Sequence, residues 1–525
     1  MKLSRAVSLG AAALGAVAAH DVSQRKHAIL RNFPIIGHLR FQLERFGPEL
    51  RQYIVTSNDE ERPFSRDQRR WVYASSKLEN SYFGFGTDND VENVVGYPII
   101  KHRTFAGPGA ATHRHAEEGV PLPAAKVIGE ARGRTHAFRP GSVINISGMS
   151  FGSLSANAIE ALNRGAALAG CLHNTGEGGL SAYHRKGGEL VFQIGTSYFG
   201  CRDRDGRFDL ARLKDLVAEA PVRALEIKLS QGAKPGLGGM LPGAKVSDEI
   251  ARIRGIEPGV DCASPSRHQV FGDVDSMLDF VELLAAETGL PVGIKSAVGN
   301  LDFWDHLTEL MAGGERGVDF DNIDGGEGGT GAAPMVFADS VAYPFRVAFS
   351  EVYRRFHAAG LSDDVTFFGG GKLGLPENAA VAFALGADLI QVGREAMLAI
   401  GCIQAQRCHT DNCPTGVATQ NAWLQRGLDP TLKSVRVANY VASLRRDLVK
   451  VSEAIGVAHP GLIGPDDIDL LDGTRSRVSL RELYGYPEGA GELSVDLQRR
   501  VCDLVAAPGS ESPPTKGHDG RRGPA

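Results

Sequence analysis

Residues 365–394 read VTFFGGGKLGLPENAAVAFALGADLIQVGR. The first four are β-branched or aromatic, which suits a buried strand. Three glycines follow. Pro376 stands where a helix can start, and an alanine-rich stretch carries a helix through 376–385. Gly386 ends it, and residues 389–392 make a second apolar run closed by Gly393 and Arg394. Strand, glycine loop, helix and strand in this order form a βαβ unit, whose two strands must run parallel.

Working outward, the same alternation holds from about 140 to 400. Candidate strands lie at 143–147, 171–174, 190–194, 224–229, 291–296, 320–323, 365–368 and 389–392. Amphipathic helical patterns occupy 154–169, 210–219, 274–288, 341–359 and 376–385. Eight βα units predict an α/β fold of the TIM (β/α)8 barrel type. A doubly wound open sheet shares the alternation, because periodicity does not reveal closure.

Most strands lead into glycine. The first leads into Ser147-Gly148-Met149, the second into Gly176-Glu177-Gly178-Gly179, and the fourth into Ser230-Gln231-Gly232-Ala233-Lys234. The sixth leads into residues 324–331, the seventh into Gly369-Gly370-Gly371-Lys372, and the eighth into Gly393-Arg394. A tight turn explains any one such loop, and a solvated surface charge explains Lys372 or Arg394 taken singly. Six loops in register point instead to a site at the C-terminal ends of the strands, where barrel chemistry sits. Gly369, Gly370, Gly371 and Gly393, with Lys372 and Arg394, are the phosphate candidates. Lys295 lies inside an apolar strand, where a lone ammonium is costly. In a flavin site it would stabilise the reduced ring. Glu226 and Lys228 share one face of the fourth strand, as a buried ion pair or as flavin contacts.

Beyond the last strand, residues 400–420 hold Cys402, Cys408 and Cys413, three of the seven cysteines. The spacing C-x5-C-x4-C followed by Pro414 suits a small iron–sulfur cluster. Three ligands imply a three-iron cluster or a distant fourth thiolate. Zinc with His409, or three buried free thiols, are the alternatives. A disulfide is disfavoured by the odd cysteine count.

The chain has 525 residues and a net charge of −5, with no basic footprint for nucleic acid. Residues 1–19 form a short apolar segment, too short to span a bilayer but able to pass as a signal core or a membrane contact. Residues 20–85 read as an N-terminal helical extension, 86–400 as the barrel, 401–420 as the cluster segment and 421–505 as a helical region. Residues 506–525 read as a disordered tail. Free thiols favour a cytoplasmic protein, with membrane association through residues 6–19 as the second expectation.

Five segments resemble the synthase domain of glutamate synthases. They are Ile144-Asn-Ile-Ser-Gly-Met-Ser-Phe-Gly-Ser-Leu-Ser155, Asn174-Thr-Gly-Glu-Gly-Gly179, Glu226-Ile-Lys-Leu-Ser-Gln-Gly-Ala-Lys-Pro-Gly236 with Leu241-Pro-Gly-Ala-Lys-Val246, Gly328-Gly-Thr-Gly-Ala332, and the cysteine run. The resemblance implies an FMN-binding TIM barrel with a [3Fe-4S] cluster on Cys402, Cys408 and Cys413. It implies 2-oxoglutarate as acceptor, reduced as 2-iminoglutarate, an oxidoreductase reaction on a CH–NH2 donor. Carried across by motif, Glu177, Gln231, Lys234 and Arg254 surround the oxoglutarate, where a dicarboxylate needs cations. Surface helix charge is the plain alternative for Arg254.

Three departures bear on the substrate. Met240 stands where the family has a polar residue, Gly371-Lys372-Leu373-Gly374 lacks the usual arginine, and Arg267-His268 replaces paired histidines. A glutaminase domain is not recognised, so ammonia, an amine or a separate glutaminase subunit would supply nitrogen. Electrons would come from ferredoxin or a reductase subunit. The rival readings are an FMN barrel oxidoreductase on another imine or 2-oxo acid, N-methylglutamate synthase-like or hydroxy-acid oxidase-like, and a non-catalytic electron-transfer subunit.

Overall fold

The computed structural model describes residues 2–506 apart from 25, 56–59, 80–81, 83, 85, 88, 107–120 and 474–475. The chain divides into two compact units, Met1–Arg69 and Arg70–Ala525. In the first, helix Lys2–Ser23 is followed by a short helix, Ala28–Asn32, and by helix Gly37–Leu50. The apolar segment expected at 1–19 is therefore the larger part of one helix. Asp21 is buried and joins two of these elements. Its carboxylate accepts from the Ile35 amide and from His38 Nε2, each at 2.9 Å. No described helix is long and apolar enough to cross a membrane.

The second unit is built on eight parallel strands: β1 Ile144–Ile146, β2 His173–Asn174, β3 Leu190–Ile194, β4 Val222–Lys228, β5 Val292–Ser296, β6 Phe320–Asp324, β7 Thr366–Gly370 and β8 Leu389–Val392. Their order around the sheet follows the sequence, and the sheet closes. Ile390 pairs with Ile144 and Val392 with Ile146, joining β8 to β1. That pairing excludes the open sheet and establishes the TIM barrel. One boundary shifts with consequences for the site. β7 runs on through Gly369 and Gly370, which pair with Ile323 and Asp324 of β6 and with Ile390 and Gln391 of β8.

The outer helices start where short polar side chains can cap them. Ser155, Asp209 and Asp273 each accept an amide of the first turn. The helix expected at 341–359 begins later, at Phe345, because Pro344 holds residue 343 out of the helical region. Helix Pro430–Ile455 packs across helix Ala156–Ala169. The approach is close enough that a Cβ on Gly165 would stand 2.5 Å from Val437. The stretch expected as helical at 421–505 also contributes strands Ile468–Leu471 and Arg477–Ser479, which form an antiparallel sheet with Pro98–Ile100. Strands of three or four residues carry too little periodicity to read. Of the tail expected at 506–525, residues 507–525 lie outside the described residues.

The barrel interior is layered. At its floor the Phe320 ring lies against Gly293, where a Cβ would come within 2.4 Å of it. Phe368 packs on Phe320 with ring centroids 5.2 Å apart. Above them Glu226, fully buried, accepts from the side-chain amides of Asn174 (2.8 Å), Gln193 (2.5 Å) and Asn322 (2.7 Å). The top layer is ionic, and it opens into a cleft.

Candidate functional site

The cleft lies at the C-terminal ends of the strands and encloses about 1220 Å³, its open mouth included. Glu177, Gln231, Lys234 and Arg254 all line it. So do Ser147, Gly148, Met149, Lys295, Gly371, Lys372, Gly393 and Arg394. Gly369 and Gly370 do not, because their backbones are spent on strand pairing and only Gly371 emerges from β7.

One wall comes from the excursion between β4 and β5. It carries Gln231 and Lys234, a two-stranded ribbon of Met240–Leu241 with Cys262–Ala263, and helix Asp248–Arg254. Glu177, from the loop after β2, meets this wall. Its Oε1 lies 2.8 Å from Lys228 Nζ and 3.7 Å from Lys234 Nζ. Burial opposes its ionisation, but Lys228, Lys234 and Arg254 outweigh burial and push the carboxyl down to about 2. Burial pulls the Lys234 ammonium below its usual range, with Glu177 opposing. A Cβ at position 239 would stand 2.7 Å from Glu177 Oε1, so any larger residue there would push the carboxylate aside.

Arg254 is buried, not a surface helix charge. Its Nη2 donates to the Phe151 carbonyl at 3.2 Å, and its guanidinium lies 5.2 Å from the Phe199 ring centre. Its Nε is buried with no hydrogen-bond partner among the described residues. The ion pair read between Glu226 and Lys228 does not form. Glu226 is held by the three amides, while Lys228 turns to Glu177 and to Gln231 Oε1 at 3.0 Å. Lys295 sits 3.5 Å from Asp324. Burial alone would depress its ammonium, but Asp324, Glu226 and Glu177 hold it above the usual lysine range.

The opposite end is made of backbone. A Cβ added at Gly393 would meet Ser147 Cβ at 3.6 Å, an ordinary contact. Lys372 takes a left-handed backbone, φ 58°. Arg394 donates to the Glu327 carbonyl, and Gln231 Nε2 to the Gly329 carbonyl at 2.7 Å. Gln391 Oε1, at the end of β8, is a buried acceptor without a partner among the described residues. Cleft-lining glycines, two cations and the unmatched Gln391 acceptor, with Lys295 on the same cleft, fit a phosphate-bearing, ring-shaped cofactor such as FMN.

The cysteine loop borders the same cleft, through Cys408. Gln404, Gln406 and Asp411 all have left-handed backbones, each costing about 1–2 kcal/mol outside glycine. Cross-links hold the loop: Tyr73 Oη donates to the Cys402 carbonyl at 2.8 Å, and Thr419 Oγ1 to that of Asp411 at 2.5 Å. Cys408 and Cys413 are electrostatic neighbours. Burial first, then Cys413, pushes the Cys408 thiol up. Among the described residues, no three His, Cys, Asp or Glu side chains converge on one metal position.

The sequence reading passed over Lys245, Gln193 and Gln391. Lys245 is buried, donates to the carbonyls of Ser153 (2.5 Å) and Cys408 (3.2 Å), and is pulled down to about 8 by burial. A polar residue inside an apolar run was the available signal for Gln193 and Gln391. Nothing local marks Lys245, whose partners are 92 and 163 residues away.

The family described as a conserved region in glutamate synthase matches residues 124–458. A glutamate synthase large subunit-like protein of Bacillus subtilis, YerD, is 39% identical over 471 residues, covering 84% of this chain and 89% of its own length. An archaeal glutamate synthase (NADPH) of Methanocaldococcus jannaschii is 34% identical over 340 residues, covering 64% of this chain and 61% of its own length. The match therefore spans about three-fifths of that archaeal protein. A solved mandelate oxidase mutant with a monooxide FMN adduct aligns over 74% of this chain at TM-score 0.41 and 15% identity, too distant to inform the site. The long match to the Bacillus protein, and a family match that takes in all eight barrel strands and the cysteine loop, place this chain in the glutamate synthase family, oxidoreductases acting on CH–NH2 donors.

Proposed function

We propose that the protein reductively aminates 2-oxoglutarate through 2-iminoglutarate, with FMN in the barrel cleft and a [3Fe-4S] cluster on Cys402, Cys408 and Cys413. The observation that carries this reading is the cationic wall of Lys228, Lys234 and Arg254 around the single carboxylate of Glu177. Three cations against one anion leave room for a dicarboxylate. Arg254 would hold one carboxylate, and Lys234 the other or the 2-oxo group. FMN, when bound, would supply hydride to the imine carbon. Glu177, ionised throughout the physiological range, cannot serve as the acid. It fixes Lys228 and Lys234 in place. Lys295, kept charged by Asp324, is the residue to face a developing negative charge on the ring.

For the cluster, the support is the three-cysteine spacing, the family, and the place of Cys408 on the cleft. Ferredoxin or a reductase subunit is the proposed electron source, and 2-oxoglutarate with ammonia or an amine the proposed substrates. The test is anaerobic: extract the flavin, then assay reduced protein with 2-oxoglutarate plus ammonia. Glutamate formation with FMN in the extract is the expected result. FMN without turnover of any 2-oxo acid would overturn the enzymatic reading. Replacing all three cysteines by alanine should remove bound iron and spare FMN, and iron retained by that variant would defeat the ligand assignment.

One observation favours a second reading. Met240 lines the cleft beside this charge cluster and is 46% exposed. An apolar side chain there suits an imine bearing an alkyl group, as in N-methylglutamate synthesis, so methylamine belongs in the assay beside ammonia.

A further inference from the structure

Helix Gly37–Leu50 turns an apolar stripe to solvent. Leu39, Leu43, Phe46 and Leu50 follow one another at spacings of four, three and four, which places them on one face. They are 60, 58, 55 and 44% exposed. In a surface helix folded onto its own unit, this stripe would be the buried one. Phe33 and Ile36, just before the helix, are exposed too. Single exposed leucines are ordinary, but a whole helical face is not.

The sequence of this unit is basic. Residues 2–55 hold eight lysines and arginines against three acids, in a chain whose net charge is −5. Two of those acids are matched locally. Asp21 meets His38 and Glu44 meets Arg40, each at 2.9 Å. Helix Lys2–Ser23 adds the exposed Leu9 and Leu14 and carries no acid before Asp21. A second copy of the chain would cover the apolar stripe but would bring the same positive charge to meet it. A bilayer with anionic headgroups matches both the exposed stripe and the basic excess that the sequence of residues 2–55 carries. The helix therefore suits a place in the interface plane, not across the bilayer.

We propose that residues 2–55 dock the protein on an anionic lipid surface, with Leu39, Leu43, Phe46 and Leu50 set into the boundary between headgroups and acyl chains. This stands apart from the reading of the barrel. The test is flotation of the full chain with vesicles of phosphatidylcholine alone and of phosphatidylcholine mixed with phosphatidylglycerol. Binding to the anionic vesicles should exceed binding to the neutral ones by about tenfold and weaken in high salt. The L43E/F46E variant should stop floating while its circular dichroism melt stays unchanged. No flotation with either vesicle, equal flotation with both, or a variant that floats like the parent overturns the proposal. So does a parent that shows no lipid binding but elutes as a dimer which L43E/F46E splits, since that assigns the face to a second copy.

Discussion

The two ends of the cleft are built by opposite means. At the end formed by the β4–β5 excursion, ionised side chains do the work: Glu177, Lys228, Lys234 and Arg254 are charged groups largely withdrawn from water and set against one another. At the end formed by β7 and β8, the working surface is main chain. Gly371 and Gly393 line the cleft without side chains, and of the two cations beside them Lys372 stands on a loop and Arg394 opens helix Arg394–Ala399. The first end depends on which residues are present. The second depends on which atoms are missing. Electrostatic interactions strengthen as water is removed, so the first end should tolerate substitution least.

The largest expected effect follows directly. The double variant K234A/R254A should lose at least about a hundredfold in kcat/KM for 2-oxoglutarate, or roughly 3 kcal/mol, while keeping its flavin. Steady-state assays with flavin absorbance check both halves, and flavin loss would show that the two ends are not separable.

E177Q addresses stability. A carboxyl lowered from 4.5 to about 2 stabilises the folded chain above the ordinary value, and that stability is lost as pH falls toward 2. The contribution is on the order of 3 kcal/mol. Melting temperature should therefore fall more steeply for the parent than for E177Q between about pH 5 and 3. Parallel curves would remove Glu177 as the anchor of the charged end.

At the glycine end, K372A/R394A should raise the FMN dissociation constant by about tenfold, about 1.4 kcal/mol, less in high salt. Flavin titration of apoprotein measures it. A larger loss would mean that the cations, and not the amides, hold the phosphate. The smallest effect is expected for M240Q, a change of a few-fold in KM, below about 1 kcal/mol. Comparing ammonia with methylamine would show whether that position reads the nitrogen source.

Much of this was legible in the chain, and the physical reasons differ by region. Most strands were read because parallel strands covered on both faces are apolar runs that lead into glycine, while the polar β2 (His173–Asn174) and β6 (Phe320–Asp324) were read from their place in the alternation. Gly369 and Gly370 were placed one step too far along, because a glycine in a strand looks like a glycine in a loop. Glu226 and Lys228 were correctly set on one face. Their partners were not, since those come from β2, β3, β6 and the loop after β2. Arg254 was marked only by the resemblance to the family, outside the five matching segments. Its surroundings come from Phe151, 103 residues earlier in the chain, and from Phe199, and nothing in its own helix marks it. Lys245 was missed for the same reason. The exposed stripe of helix Gly37–Leu50 reads from the sequence as a core face, and only coordinates show that it is uncovered.

The aromatic floor of the barrel has a kinetic corollary. With Phe320 pressed on Gly293 and Phe368 tilted against it, the axis is filled below the Glu226 layer. On the proposed reaction, keto acid, nitrogen donor and amino-acid product would all come and go through the cleft above the strands, so the product should slow its own formation by competing with the incoming acid.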